Sequence, residues 1–340
     1  MSTRHTRVAV IGAGAVGLVV AEAAHNAGHD VVLCARTRPE RLVIERSDSI
    51  RELDVPVLVD PSEARTADWV LLATKAQDVA GAAAWFDGLI GPETTVVVLQ
   101  NGVDHAERVG PLLPAGVTLL PALVYVAAEL LERGHVLHRK GARLTVQGCP
   151  DTSGPASFAS FDAKPATITK PATNTEQATN TEQATAVRAP SEVPGERFAA
   201  LLAGSGLIVD QVADFRTAAW RKLLTNAGAN PVTALTMRRM AVIQQEDAVR
   251  SLTRALLHEA VAVGVAAGAA LTDDDVARTF EMYDAFAPED GTSMLYDRAG
   301  GRATEHELIT GAVVRLGDQH GVDVPLNRAI LALMRGLNHK

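Results

Sequence analysis

The run RVAVIGAGAVGLVVAEAAHNAG (residues 7–28) narrows the fold more than any other stretch of this chain. A short apolar segment ends at Gly12, and an Ala-rich amphipathic segment follows without a break. A strand must therefore pass into a helix through a glycine turn. Gly12, Gly14 and Gly17 have the G-x-G-x-x-G spacing in the strand–turn–helix context that gives this motif its meaning. Gly12 permits the tight turn, Gly14 lets the backbone approach a pyrophosphate, and Gly17 allows close helix–strand packing. Free N–H groups at the helix start then face the anion. The expected cofactor-binding turn is Gly12, Ala13, Gly14, Ala15, Val16 and Gly17.

Further short apolar runs alternate with helical stretches: DVVLCAR (30–36), VPVLVD (55–60), DWVLLATK (68–75) and TTVVVLQNG (94–102). Strands that are apolar almost throughout and alternate with helices imply a parallel sheet covered on both faces. Extended segments follow at TLLPALVYVAAEL and RLTVQG. Residues 151–194 change character, with TNTEQA repeated in tandem among Pro, Ser, Thr and Ala. Such a segment lacks the apolar residues to offset its ordering entropy, and a disordered surface insertion is expected there. GERFAALLAGSGL then reads as helix and LIVDQVAD as strand.

From Phe215 onward nearly everything reads as helix. Thr272 is expected to cap one helix. Thr304 is expected to start another, with Glu307 completing a capping box and Gly321 ending it. The fold expected is an α/β Rossmann-type N-terminal domain over 1–214, carrying the insertion, and an all-α C-terminal domain over 215–340.

A chain of 340 residues with 47% apolar and 21% charged residues has ample length for two cores. Its net charge of −8 argues against nucleic acid as a partner, because phosphate binding needs a basic face. No signal-peptide or membrane-spanning pattern is read, and a cytoplasmic protein is expected. Cys34 and Cys149 have no metal-type spacing, and no metal site is expected. Cys34 reads as a small buried thiol.

The end of the second strand bears on the choice of dinucleotide. NAD-selective proteins usually carry an acid there for the ribose 2′-hydroxyl. CARTRPER offers Arg36 instead, a guanidinium suited to a 2′-phosphate, so NADP (as NADPH) is favoured over NAD. Arg38 and Arg41 read as a solvated loop. Lys75 and Asn101 each terminate an apolar strand on the edge that carries the glycine turn. Lys75 is a candidate cofactor ligand, and Asn101 a candidate ligand of cofactor and substrate, although Asn-Gly is also a favoured turn pair. In WRKLLTNAGANP (220–231), Lys222, Asn226 and Asn230 fall on one stripe of a helix, a costly arrangement unless each finds a partner. Pro231 predicts an end or kink beside Asn230.

These blocks, with TKAQD (74–78), LQNGV (99–103), GTSMLYD (291–297) and GRATEHELITGAVVRLGDQHGVDVPLN (301–327), resemble the ketopantoate reductase family over nearly the whole chain outside the insertion. The resemblance implies hydride transfer from NADPH to the C2 ketone of ketopantoate, a step of pantothenate and coenzyme A biosynthesis. It also implies Lys222 as general acid, Glu305 as a second catalytic residue, and Asn226, Asn230 and Ser293 as substrate ligands. A relative reducing another small 2-oxo acid, or a non-catalytic NADPH sensor, are the competing readings. Retention of Lys222 and Glu305 together weighs against the sensor. The family often has glycine after NGV where this chain has Asp104, a carboxylate that could alter substrate preference. A homodimer is compatible with the apolar helical half.

Overall fold

The computed structural model describes residues 6–148 and 193–337. Cys149 and residues 151–192 of the expected insertion lie outside the described residues. Pro194, the last residue assigned to that insertion, already begins a helix.

The strands are β1 (Arg7–Ile11), β2 (Asp30–Cys34), β3 (Val43–Glu45), β4 (Ile50–Glu52), β5 (Val57–Leu58), β6 (Trp69–Leu72), β7 (Thr95–Val98), β8 (Thr118–Glu132), β9 (His135–Gln147) and β10 (Ile208–Val212). They form one sheet in the order β4-β3-β9-β8-β7-β6-β1-β2-β5, with β10 added on β9. From β5 through β8 every pairing is parallel. The order reverses at β1, with β2 on one side and β6 on the other. Ligands of open α/β sheets bind outside the strand carboxyl ends at such a reversal. Beyond its pairing with β7, strand β8 runs on into a long antiparallel hairpin with β9.

Helices α1 (Ala15–Asn26), α2 (Val79–Ala82), α3 (Phe86–Leu89), α4 (His105–Val109) and α5 (Pro194–Leu201) accompany the sheet. The strands are apolar at successive positions because both faces are covered. In β1, Val8 and Val10 join the core that includes α1, while Ala9 and Ile11 join the core built on α2 and α3. The same alternation divides Val31 and Leu33 from Val32 and Cys34, and Trp69 and Leu71 from Val70 and Leu72. Burial of Cys34 pushes its thiol up to about 12, so it is an inert core residue.

The chain from Phe215 is helical: α6 (Phe215–Thr236), α7 (Ala241–Gln245), α8 (Asp247–Ala266), α9 (Asp273–Ala285), α10 (Ser293–Ala299), α11 (Thr310–His320) and α12 (Pro325–Leu337). Helix α6 is the centre of this region, with Trp220, Leu223, Leu224 and Ala227 in its core. Close approach to α8 depends on Gly264, where a Cβ would lie 2.9 Å from the Trp220 ring. No described helix is long and apolar enough to cross a membrane.

Thr272 caps α9 as expected, in a capping box with Asp275, and Gly321 ends α11 in the left-handed conformation. One other local expectation is corrected, and one of the two outcomes expected at Pro231 is ruled out. The helix expected at Thr304 begins at Thr310, because the Thr304 hydroxyl bonds His306 Nδ1 (2.8 Å) and Glu307 pairs with Arg335. Glu305 therefore lies in a non-helical segment ahead of α11. Pro231 does not end α6, which continues for five residues to Thr236. Surrounding tertiary packing overrides the local penalty: Asn230, Pro231 and Val232 are all buried.

At the first turn of α1, a Cβ on Gly17 would stand 1.9 Å from the Gly12 carbonyl oxygen. Gly17→Ala should therefore force α1 off the sheet and cost about 1–3 kcal/mol of stability in urea unfolding of the ligand-free protein. A loss below about 0.5 kcal/mol would show that this contact has slack.

Candidate active site

A cleft of about 2070 Å³ opens between the strand carboxyl ends and the helical region. Gly12, Ala13, Gly14, Ala15, Val16, Arg36, Lys75, Asn101, Lys222, Asn226, Asn230, Ser293 and Glu305 all line it. Of the residues expected from sequence, Gly17 stands apart, buried behind the turn where it sets the α1 contact.

The glycine turn suits a dinucleotide on three counts. Gly12 has a φ of +114°, and its Cβ would meet the Thr74 amide at 2.9 Å. Gly14 has an extended backbone and open space where a Cβ would be, so only a group lying in the cleft would collide with a side chain there. The α1 N-terminus has neither a capping side chain nor an acid in its first turn, which leaves its N–H groups and positive dipole end for an anion. At the end of β2, the Arg36 side chain is 87% exposed and 3.8 Å from an Asp78 oxygen, a screened pair that leaves the guanidinium available. Arg38 is committed to the Val57 carbonyl (2.9 Å).

Facing this turn, α6 presents Lys222, Asn226 and Asn230. The Lys222 ammonium lies 4.3 Å from the centre of the Tyr125 ring. Burial disfavours its charge and the nearby Glu305 carboxylate favours it; burial wins, and the lysine is pushed down to about 8. Glu305 accepts a hydrogen bond from Asn101 Nδ2 (2.9 Å), so the strand-end amide and the carboxylate ahead of α11 meet across the cleft. Ser293 is the first residue of α10 and exposed to the cleft; the capping role falls to Thr292, whose hydroxyl accepts from the Leu295 amide (3.2 Å).

Lys75 reaches the helical side as well, pairing with Asp297 of α10 and donating to the Ala303 carbonyl (3.3 Å). Asp297 also accepts from Arg302 Nε (3.0 Å). Sequence reasoning quoted Asp297 within GTSMLYD without assigning it a partner, and did not single out Tyr125. Asp104, noted in the sequence as a carboxylate able to alter substrate preference, is paired twice. It is held between Arg108 and Arg315, and Arg108 in turn reaches the Gln100 side chain (3.2 Å) and the Asn101 carbonyl (3.4 Å). Asp104 therefore braces the loop that carries Asn101. Among the described residues no group of three or more His, Cys, Asp and Glu side chains is placed to hold a metal.

Two family models match the chain: Ketopantoate reductase PanE/ApbA over residues 8–151, and Ketopantoate reductase PanE/ApbA C terminal over residues 214–338. The chain belongs to the ketopantoate reductase family. It is 34% identical to a 2-dehydropantoate 2-reductase of Caulobacter vibrioides, over 97% of this chain and 98% of that protein. It is 35% identical to one from Mycobacterium tuberculosis, with 97% of each covered. The crystal structure of a PanE/ApbA family ketopantoate reductase from Ralstonia eutropha JMP134 superposes with a TM-score of 0.77 at 28% identity, covering 98% of both chains. A dimeric ketopantoate reductase from Staphylococcus aureus shares the fold at a TM-score of 0.76 and 22% identity, covering 97% of this chain and 98% of that one.

The lowered Lys222 has a consequence for stability. Below pH 8 the lysine is protonated both folded and unfolded, and the full cost of burying its charge is present. Between about 8 and the ordinary 10.5 the folded protein sheds the proton first, so this cost shrinks as pH rises. Lys222→Met should stabilise the protein at pH 7 by on the order of 1–3 kcal/mol, with the gain vanishing toward pH 10.5. Urea melts across pH 6–10 would show it; a gain that did not depend on pH would place the lysine in water.

Proposed function

We propose that this chain reduces 2-dehydropantoate to pantoate with NADPH, a reaction of pantothenate and coenzyme A biosynthesis. The observation that carries the reading is a lysine ammonium and an Asn101–Glu305 pair lining the same cleft as a glycine turn built for a dinucleotide. Family membership and the two relatives named 2-dehydropantoate 2-reductase support substrate and cofactor together.

NADPH, when bound, supplies the hydride to C2 of the 2-oxo acid. The Gly12–Gly17 turn and the α1 N-terminus would hold its pyrophosphate, Arg36 would pair with its 2′-phosphate, and Lys75 and Asn101 would supply further polar contacts from the strand ends. As the ketone oxygen gains negative charge, the Lys222 ammonium stabilises it and donates the proton. A lysine near 8 is well matched to that task at neutral pH, being charged before reaction yet able to give the proton up. Glu305 favours the charged lysine and, fixed by Asn101, accepts a hydrogen bond from the product hydroxyl. Asn226, Asn230 and Ser293 bind the acid, Ser293 at its carboxylate; no hydrogen bond from either asparagine side chain to a described residue competes. In this reading residues 1–214 form the cofactor unit and 215–340 the substrate unit. The cytoplasm is the compartment proposed, and the apolar helical half is compatible with a homodimer.

With NADPH and a panel of 2-oxo acids, oxidation should be fastest with ketopantoate; turnover confined to a different 2-oxo acid would assign another substrate, and NADPH binding without turnover would favour a sensor. Lys222→Ala should lower kcat/KM by about 10²–10⁴-fold with NADPH affinity nearly unchanged. In the wild type the reduction rate should fall as pH rises through about 8, since only protonated Lys222 can donate. A loss of a few-fold, or a flat profile to pH 10, would remove the lysine from this role.

Arg36→Ala should raise the dissociation constant for NADPH by about tenfold or more and leave that for NADH within about twofold. Equal weakening of both would leave the 2′-phosphate to other residues.

A further inference from the structure

Among the described residues, two groups from outside α6 face the Lys222 ammonium: the Glu305 carboxylate and the ring of Tyr125. Arg221, its neighbour on α6, is turned to the buried Asp275 of α9 at 2.8 Å, and Asn226 one turn on is uncharged. Glu305 is shared with the Asn101 amide. We propose that Tyr125 is a positioning residue for the reduction, its ring face holding the Lys222 ammonium charged and in place at the cleft wall; this rests on the reductase reading.

The geometry is that of a cation over an aromatic face, 4.3 Å from the ring centre where attraction extends to about 6 Å. Such contacts are stronger where the cation is partly withdrawn from water, and Lys222 is half-buried at the cleft wall. The ring comes from the other half of the molecule, on β8, and its direction is set by an irregularity in the β8–β9 ladder. Tyr125 pairs with Arg143 and Ala127 with Lys140, so Gly141 and Ala142 both stand opposite Val126. Gly141 occupies this bulge with a φ of +80°, and a Cβ there would lie 2.5 Å from the Tyr125 carbonyl oxygen. Bulges of this kind re-aim a side chain next to a site.

Tyr125 acts as a neutral ring. Burial, reinforced by the Asp210 carboxylate, pushes its phenol up to about 12, so no phenolate forms where the enzyme would work. Arg143, its cross-strand partner, is paired with Asp210 of β10 and its charge is balanced there. What Lys222 meets from β8 is the electron-rich face alone.

The test combines the pH profile of kcat/KM for NADPH-dependent ketopantoate reduction with nitrogen-15 NMR titration of the Lys222 side chain in the ligand-free protein, its signal identified by its loss in Lys222→Met. Tyr125→Leu should move both the alkaline limb and the NMR midpoint down by about one pH unit, because the ring no longer favours the charged form. Tyr125→Phe should leave both within about 0.3 unit, since the face remains. Phenylalanine of increasing fluorine content at position 125 should lower the midpoint stepwise at nearly constant volume, and this series decides the matter if Tyr125→Leu does not fold. An unchanged midpoint in Tyr125→Leu, a Tyr125→Phe shift as large as that of leucine, or a fluorine series without trend would overturn the proposal. The NMR arm needs no turnover, so it separates failure of the Tyr125 assignment from failure of the reductase reading.

Discussion

Helix α6 carries Trp220, Leu223, Leu224 and Ala227 into the helical core while Lys222, Asn226 and Asn230 line the cleft. A helix that is core on one side and cleft wall on the other cannot rotate without driving the Lys222 ammonium from the cleft wall into the core or exposing an indole. Both choices cost several kcal/mol, so the register of α6 is fixed from two directions at once. The remaining elements of the helical region arrange themselves around that constraint. Gly264 brings α8 against Trp220, and Tyr283 of α9 donates its hydroxyl to the Thr225 carbonyl at 2.7 Å.

Alongside apolar contacts such as Leu308 in the sheet-side core and Val103 against the helical core, polar pairs join the two halves. Asn101 with Glu305, Lys75 with Asp297, and Asp104 with Arg315 all join a loop at the strand ends to the helical region. Pairs like these are geometrically demanding and add little to stability at an exposed surface. Their value is in fixing where one half sits relative to the other. Asp104 illustrates the point: its carboxylate is paired with two guanidinium groups, one of which also reaches the backbone carbonyl of Asn101.

What the sequence made legible followed from local rules. The runs that became β1, β2, β6 and β7 are apolar at successive positions, which happens only when both faces are covered, and the glycine turn stood in its required context. β3 and β4 were missed because three residues each carry no periodic signal, and β4 is exposed throughout. Thr304 and Glu307 had the spacing of a capping box, but Thr304 bonds His306 within that spacing and Glu307 is drawn to Arg335 of α12, outside it. Of the end or kink expected at Pro231, the end does not occur: packing around Asn230 holds a helix that local preference would stop. The stripe of Lys222, Asn226 and Asn230 was readable because helical periodicity alone puts it on one face. Tyr125 was not, since its aim depends on a bulge between strands paired over a register no single segment reveals.

That stripe also works as a ruler. At about 1.5 Å per residue, its three polar groups are spaced by about 6 Å and span about 12 Å, a length held by backbone hydrogen bonds rather than by loops. A single residue inserted or deleted between Lys222 and Asn230 would swing the later group by about 100° and take it out of the cleft. This wall of the site can therefore diverge by replacement of side chains but not by change of length. The strand-end loops opposite, outside the glycine turn, carry no such helical register, so a change of length there need not rotate a site residue out of the cleft.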